Sequence, residues 1–160
     1  LFELAKRVKR VTDKYYVPLI INDRLDICLA VDAAGVHLGQ TDLPCSEARR
    51  ILGAEKIIGV SAATPEEAAK AQSDGADYLG VGAVFATSTK TNTRPVTAET
   101  IRAIRSAVDI PFVVIGGVNS ENISGLYGLG INGAAVISAI ISQPDITAAA
   151  RKMRQAAERL

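Results

Sequence analysis

Short, fully apolar runs alternate along the chain with longer stretches in which apolar and polar positions repeat at helical spacing. The apolar runs predict strands, and because they are continuous they are typical of a parallel sheet that is covered by helices. Six such runs are present, near Leu19, Val36, Ile57, Tyr78, Phe112 and Ala134. The pattern therefore predicts the α/β fold class.

Capping residues delimit the predicted helices. Thr64, followed by Pro65 and Glu67, is typical of an N-cap, a first helical position and a capping-box acid, and it predicts a helix that runs to about Ser73. Further helices are predicted at residues 1–16, 25–31, 46–52, 98–108, 119–130 and 147–160, and the last strand at 134–137.

A faint internal repeat favours a barrel. Residues 32–39, 75–82 and 130–137 each join a helix end to a strand by a similar short turn. Repetition of one βα unit predicts a (β/α)₈ TIM barrel, and the lack of G-x-G-x-x-G after the first strand disfavours the alternative, a doubly wound sheet. Because a closed barrel needs eight strands, we expect residues 1–160 to form one domain, strands three to eight, with the two N-terminal βα units missing.

Composition limits the range of functions. The chain has 160 residues, 48% of them hydrophobic, which suffices for one sizeable core. A net charge of +1 without long charged runs disfavours nucleic acid or a membrane as partner and leaves small anions possible. Cys28 and Cys45, without a signal-peptide pattern, suit a reducing cytoplasm, and we expect neither a disulfide nor a metal site from them. The oligomeric state stays open, a homo-oligomer included.

The stretch from Tyr78 to Lys90 is the clearest candidate for function. Leu79, Val81, Val84 and Phe85 predict a buried strand, and Thr87, Ser88, Thr89 and Lys90 follow it at once. Three hydroxyls and a cation suit phosphate or diphosphate oxygens, although a solvated loop has the same composition.

Polar residues also follow the other predicted strands. In a parallel barrel all strands end on one rim, so Asn22 and Asp23 are expected close to Asp42. Asp23 and Asp42 could share one Mg²⁺. The alternative is that Asp23 caps the helix near Leu25 and that Asp42 lies in a turn before Pro44.

Three further positions complete the predicted rim. Ser61 ends the third strand, and Gly117 and Ser138 follow the last two, where barrels often bind phosphate with backbone N–H groups. A tight turn at Gly116 and Gly117 with positive φ is the alternative. His37, within a strand, is expected to be a hydrogen-bonded core histidine.

Seven ordered motifs together resemble the thiamine-phosphate synthase family. They are I-N-D-R-x-D at 21–26, G-V-H-L-G-Q-x-D-L-P at 35–44, G-V-S-A at 59–62, G-A-D-Y-L-G-V-G at 75–82, T-S-T-K at 87–90, I-G-G at 115–117 and V-I-S-A-I at 136–140. The resemblance implies a TIM-barrel transferase of thiamine biosynthesis. Its reaction joins a hydroxymethylpyrimidine diphosphate to a thiazole phosphate and releases diphosphate with Mg²⁺.

The resemblance also implies roles for individual residues. Asp23 and Asp42 would hold Mg²⁺, and Lys90 and Ser61 would be catalytic by attending the departing diphosphate. The remaining substrate contacts would be Asn22 at the diphosphate and Thr87, Thr89, Gly117, Ile137 and Ser138 at the thiazole phosphate, with Lys90 and Ser61 also in the substrate-binding set.

Two departures from the family pattern bear on the alternatives. The family's glutamine, arginine and lysine set for the pyrimidine diphosphate, on its second strand, is not present in this sequence. Ala63 stands where the related thiazole tautomerases carry a catalytic histidine, which weakens the tautomerase-like alternative. A non-catalytic phosphate-binding barrel is the other alternative, and the joint presence of Asp23, Asp42 and Lys90 favours the enzyme.

Overall fold

Six parallel strands form the centre of the molecule. The structure, a computed structural model, describes residues 1–86 and 96–160. The strands are β1 Ile20–Asn22, β2 Gly35–Leu38, β3 Ile57–Ala62, β4 Tyr78–Gly82, β5 Phe112–Ile115 and β6 Gly133–Ala135. They pair in sequence order, β1-β2-β3-β4-β5-β6, and the sheet curls into a half-barrel. The α/β class is confirmed, and the architecture is consistent with a TIM-like fold.

Helices connect the strands. They are α1 Phe2–Lys14, α2 Leu25–Ala30, α3 Cys45–Leu52, α4 Pro65–Ser73, α5 Ala98–Ala107, α6 Ser138–Ile141 and α7 Ile146–Ala157, with a 3₁₀ turn at Ile123–Leu126. The Thr64 hydroxyl accepts the N–H of Glu67 at 3.2 Å, as predicted for an N-cap. The Glu67 carboxylate accepts the N–H of Ala63 at 2.7 Å, one residue earlier than a capping box requires. None of the described helices is long and apolar enough to cross a membrane.

The helix predicted at 119–130 is wrong, because this stretch holds only the 3₁₀ turn. The Asn119 side chain accepts the N–H groups of Glu121 and Asn122 at 2.9 and 3.1 Å, a local turn that competes with helical bonding. Gly125 lies inside the turn, and Gly128 has a φ of 75°, which an α-helix excludes. The apolar positions Ile123 and Leu126 are nevertheless buried.

Two strands are shorter than predicted. β6 ends at Ala135, because its last partner is Ile115 and β5 then turns away at Gly116 and Gly117. Ile137 therefore lies outside the strand, and Ser138 begins the short helix α6. β4 likewise ends at Gly82, so Val84 and Phe85 lie beyond it and are half-buried, whereas Leu79 and Val81 are fully buried in the strand.

The two faces of the sheet differ in chemistry. Side chains on the outer face pack against the helices and form the core; they include Val36, Leu38, Ile58, Leu79, Val81, Phe112 and Val114, all at most 1% exposed. The concave face includes glycines and polar residues of β2 to β4, among them His37, Gly59, Ser61 and Tyr78, beside the apolar Val113 and Ile115 of β5. Because side chains alternate along a strand, one sequence run supplies both faces. The concave face is therefore the one available for chemistry.

Candidate active site

A cavity of about 490 Å³ lies on the concave face, toward the carboxyl ends of the strands. All six strands or the residues directly after them contribute to its wall. Of the predicted site residues, those that line it are Asn22, Ser61, Gly117, Ile137 and Ser138. A second depression, of about 590 Å³, lies between the segment after β5 and helix α7, and no predicted site residue lines it. The fold thus gathers residues from four distant parts of the sequence around one space.

A hydrogen-bonded trio crosses the floor of this cavity. The Nδ1 atom of His37 lies 3.0 Å from the Tyr78 hydroxyl, and its Nε2 atom lies 3.0 Å from the Ser61 hydroxyl. The His37 and Tyr78 rings are tilted by 42°, with centroids 5.5 Å apart. Burial raises the pKa of the Tyr78 phenol above its usual value, so the phenol keeps its proton at neutral pH. The trio therefore connects β2, β3 and β4 through side chains.

Two glycines make room for the trio. A Cβ atom on Gly59 would lie 2.1 Å from the Tyr78 ring, and one on Gly80 would lie 2.9 Å from the His37 ring. Any larger residue at either position would displace a ring, since both distances are below normal contact. Glycine at 59 and 80 is thus a requirement of the polar floor and not of the backbone conformation.

Asn22 and Asp23 lie at the end of β1. Asn22 is the last residue of the strand and pairs in register with His37. Asp23 is exposed and has a φ of 63°, and its N–H donates to the His37 carbonyl at 2.8 Å. The alternative role of Asp23 as a helix cap is wrong, because the N-cap position of α2 is Arg24. Asp23 lies outside the cavity lining, on the loop above it.

Asp42 lies on the loop after β2, the neighbouring strand. Its Oδ2 atom accepts the N–H of Gly39 at 2.7 Å, so it stabilises the turn that the sequence alternative assigned to it. Asp42 is half-buried, and Gln40 of the same loop donates to the Ser61 carbonyl at 2.6 Å. Both carboxylates therefore follow adjacent parallel strands at the same edge of the sheet.

These two carboxylates fit a hard cation in their chemistry. Mg²⁺ in proteins commonly takes one or two carboxylates and completes its octahedron with water and phosphate oxygens. Within residues 1–86 and 96–160, no group of three or more His, Cys, Asp or Glu side chains is placed to hold a metal ion. A site built from Asp23 and Asp42 would be completed by water and phosphate oxygens.

The opposite side of the cavity includes the turn after β5 and the residues at the start of α6. Gly116 and Gly117 follow β5 with φ values of 97° and 65°, so the tight turn that the sequence alternative required is present. The Asn122 side chain donates to the Gly117 carbonyl at 2.9 Å and fixes this turn. Ile137, half exposed, and Ser138 at the start of α6 face the same space. Thr87, Thr89 and Lys90 lie outside the described residues.

His37 and Tyr78 contribute to the cavity beyond what the sequence predicts. His37 is hydrogen-bonded, as expected, but it lines the cavity and is half-buried instead of lying in the apolar core. Tyr78 stands at the start of the run that predicts a buried strand, yet its side chain lines the cavity. The sequence signal that places Tyr78 on the cavity face is the period-two alternation of β4. Tyr78, Gly80 and Gly82 fall on one face of the strand, and Leu79 and Val81 fall on the other.

Comparison with known proteins agrees with this geometry. The sequence model of thiamine monophosphate synthase matches residues 1–140. A thiamine-phosphate synthase of Clostridium botulinum (strain Eklund 17B / Type B) is 50% identical over 159 residues, which is 99% of this chain and 75% of that protein. The thiamine-phosphate synthase of Ruminiclostridium cellulolyticum is 57% identical over 152 residues, covering 95% of this chain and 72% of that protein.

The chain belongs to the thiamine monophosphate synthase family.

A solved structure supports the same assignment. Thiamine phosphate pyrophosphorylase from Pyrococcus furiosus superposes with a TM-score of 0.90 at 39% identity, covering 98% of this chain and 75% of that one. The predicted thiamine-phosphate synthase function and transferase class are thereby confirmed. 3-Hexulose-6-phosphate synthase, at 18% identity and a TM-score of 0.73, shows the fold alone.

Proposed function

We propose that the cavity on the concave face is where this synthase joins a pyrimidine diphosphate to a thiazole phosphate and releases diphosphate. The observation that carries the proposal is the convergence of Asn22, Ser61, Gly117, Ile137 and Ser138 on one cavity. These residues come from four distant parts of the chain, and each belongs to a motif shared with the family. A solvated rim without function would not require glycines under the floor or a fixed turn at Gly117.

The diphosphate end of the site is assigned to the side of β1 to β4. Asn22 and Ser61 supply neutral donors there, and Lys90, in the segment after β4, supplies a positive charge. A cation and hydroxyls that are held in place stabilise the negative charge that develops on a leaving group. Ser61 is suited to this role because His37 and Gln40 fix its side chain and its carbonyl respectively.

Asp23 and Asp42 are proposed to hold Mg²⁺ beside the diphosphate. The ion, when bound, would supply charge neutralisation for the departing oxygens. The protein's contribution is to hold both carboxylates in place: the Asp23 N–H is fixed by the His37 carbonyl, and the Asp42 carboxylate by the Gly39 N–H. Support comes from the donor chemistry and from the position of both loops at one edge of the sheet.

The thiazole phosphate end is assigned to the opposite side. Gly117, Ile137 and Ser138 line that part of the cavity, and Thr87 and Thr89, in the segment after β4, complete the set. Backbone N–H groups and hydroxyls are suitable donors for a phosphate. The thiazole nitrogen is the nucleophile, so the chain needs no general base and its residues serve to bind, orient and neutralise.

We also propose which type of barrel the chain belongs to and in which cellular compartment the enzyme works. We assign residues 1–160 to one domain of a (β/α)₈ barrel, supported by the curl of the sheet and by its open edges at β1 and β6. We place the enzyme in the cytoplasm, supported by the two free thiols of the described chain, Cys28 and Cys45, which suit a reducing compartment.

Substitution of Lys90 tests the assignment of the diphosphate end. Lys90→Ala should lower the rate of thiamine phosphate formation by about 10²-fold or more, the scale seen when one preorganised donor to developing charge is removed. Lys70→Ala is the matched control, because Lys70 is exposed on α4 and pairs with Asp74 away from the cavity. If the Lys90→Ala enzyme forms thiamine phosphate as fast as the control, the assignment of Lys90 to the diphosphate end is wrong. The segment after β4 would then be a solvated loop.

A further inference from the structure

The imidazole of His37 is held at both nitrogens within the cavity. Nδ1 faces the Tyr78 hydroxyl and Nε2 faces the Ser61 hydroxyl, each at 3.0 Å. The two contacts come from different strands, and Gly59 and Gly80 are required for the rings to fit. Two glycines are thus needed to place the His37 imidazole against the Ser61 hydroxyl, which lines the cavity. This arrangement indicates a role for His37 beyond packing.

The identity of the donors decides what the Ser61 hydroxyl can do. A phenol is a good proton donor, and the Tyr78 hydroxyl lies 3.0 Å from Nδ1, within reach to donate to it. With Tyr78 donating to Nδ1, neutral His37 carries its proton on Nε2 and donates it to the Ser61 oxygen. The hydrogen of Ser61 itself is then directed away from the imidazole. In the opposite tautomer Ser61 would donate to Nε2, and its hydrogen would be withheld from a substrate.

We propose that His37 is a positioning residue for Ser61: fixed by Tyr78, it donates from Nε2 to the Ser61 oxygen, so that the Ser61 hydroxyl donates into the cavity to the substrate diphosphate. This inference rests on the proposed function, in which Ser61 attends the diphosphate. His37 does not touch the reacting atoms in this account. Tyr78 sets the tautomer, His37 transmits the orientation, and Ser61 makes the contact.

Two substitutions of His37 separate its two nitrogens. The amide nitrogen of glutamine reaches about as far as Nε2, whereas asparagine reaches only as far as Nδ1. His37→Gln therefore keeps a donor for Ser61, and His37→Asn keeps a partner for Tyr78 alone. We expect His37→Asn to lower kcat/KM for the pyrimidine diphosphate about tenfold, the scale of one lost hydrogen bond, and His37→Gln to stay within about threefold of the parent.

A double-mutant cycle shows whether His37 acts through Ser61. Ser61→Ala should lower kcat/KM for the pyrimidine diphosphate, and adding His37→Asn to it should cause little further loss, because the residue that His37 positions is gone. The KM for the thiazole phosphate should stay unchanged in every variant. A structural role for His37 would instead lower the thermal midpoint and affect both substrates.

The outcomes separate the inference from the function on which it rests. An unimpaired Ser61→Ala variant would overturn the assignment of Ser61 and this inference with it. An impaired Ser61→Ala variant with an additive loss from His37→Asn would overturn the inference alone. If His37→Asn does not fold, Tyr78→Phe takes its place, because it removes the hydroxyl that sets the tautomer. The decrease in kcat/KM that Tyr78→Phe causes should likewise disappear when Ser61 is already alanine. An additive decrease would overturn the inference.

Discussion

The two ends of the sheet are built differently. At the amino ends of the strands, polar side chains from the helices and from the turns before the strands bond to backbone N–H or carbonyl groups; Arg49, Lys56, Gln72, Arg105 and Asn132 all do so. At the carboxyl ends, glycines and uncharged polar or apolar side chains surround a cavity together with His37 and Tyr78, and Asp23 and Asp42 lie on the adjoining loops. The difference separates two tasks: the amino end holds the βα units together, and the carboxyl end is left open for ligands.

Arg49 shows how the amino end is stabilised. Its guanidinium donates to the carbonyls of Gly53, Lys56 and Gly75 at 2.7–3.1 Å and to the Asp77 carboxylate at 2.6 Å. The Asp77 carboxylate also accepts the Ile58 N–H at 2.7 Å. One side chain thus joins α3, the start of β3 and the turn before β4.

The largest expected effect on stability comes from removing this guanidinium. Arg49→Met should lower the free energy of unfolding by about 2–3 kcal/mol, because several half-buried carbonyls and a carboxylate lose a charged donor. Urea unfolding measures the change. Arg50→Met is the matched control, since Arg50 pairs with Glu47 on the exposed side of the same helix. Specific activity of the folded Arg49→Met enzyme should stay near the parent value. A large loss of activity without loss of stability would contradict the division between the ends.

Two glutamines, one at each end of the sheet, allow a direct comparison in which the expected loss of stability is smaller than for Arg49. The Gln72 carbonyl accepts the N–H groups of Asp109 and Ile110 at 2.7 and 3.1 Å at the amino end. Gln40 donates to the Ser61 carbonyl at the carboxyl end. Gln72→Met should cost about 1–2 kcal/mol of unfolding free energy and Gln40→Met under about 0.5 kcal/mol. Equal losses in thermal unfolding would contradict the comparison.

The ion pair between Arg24 and Asp26 should have the smallest effect. It lies at the carboxyl end with both side chains more than half exposed. The Arg24 hydrogen bond lowers the pKa of Asp26 to about 2, so any stabilisation is present above about pH 4 and is lost as the pH falls toward 2. Arg24→Gln should leave the thermal midpoint at neutral pH almost unchanged and should flatten its decline in acid. A midpoint shift as large as that of Gln72→Met would contradict this assignment.

Much of the fold could be predicted from the sequence because its signals are local. Continuous apolar runs marked all six strands, and Thr64 with Pro65 marked the start of α4. The prediction was wrong where local chemistry competed, as at Asn119, whose side chain forms a turn in place of a helix. It was also wrong at Ile137, because strand length there depends on the partner strand and not on hydrophobicity.

The candidate site was predictable only in part. Asn22, Ser61, Gly117 and Ser138 could be placed on one rim because parallel strands end together. The contact of His37 with Ser61 and Tyr78 could not, because it depends on register: His37 pairs with Gly59, and Gly59 pairs with Tyr78. The sequence contains no local signal for that pairing.

The most direct test of the central claim, that the carboxyl end of the sheet holds Mg²⁺ and diphosphate, is a calorimetric titration of diphosphate with and without Mg²⁺. Asp23→Asn should weaken the Mg²⁺-dependent binding about tenfold or more, because a charged ligand is replaced by a neutral one. Asp26→Asn, an exposed carboxylate of the same segment paired with Arg24, is the matched control and should bind as the parent does. Mg²⁺-dependent binding by Asp23→Asn equal to that of Asp26→Asn would contradict the account.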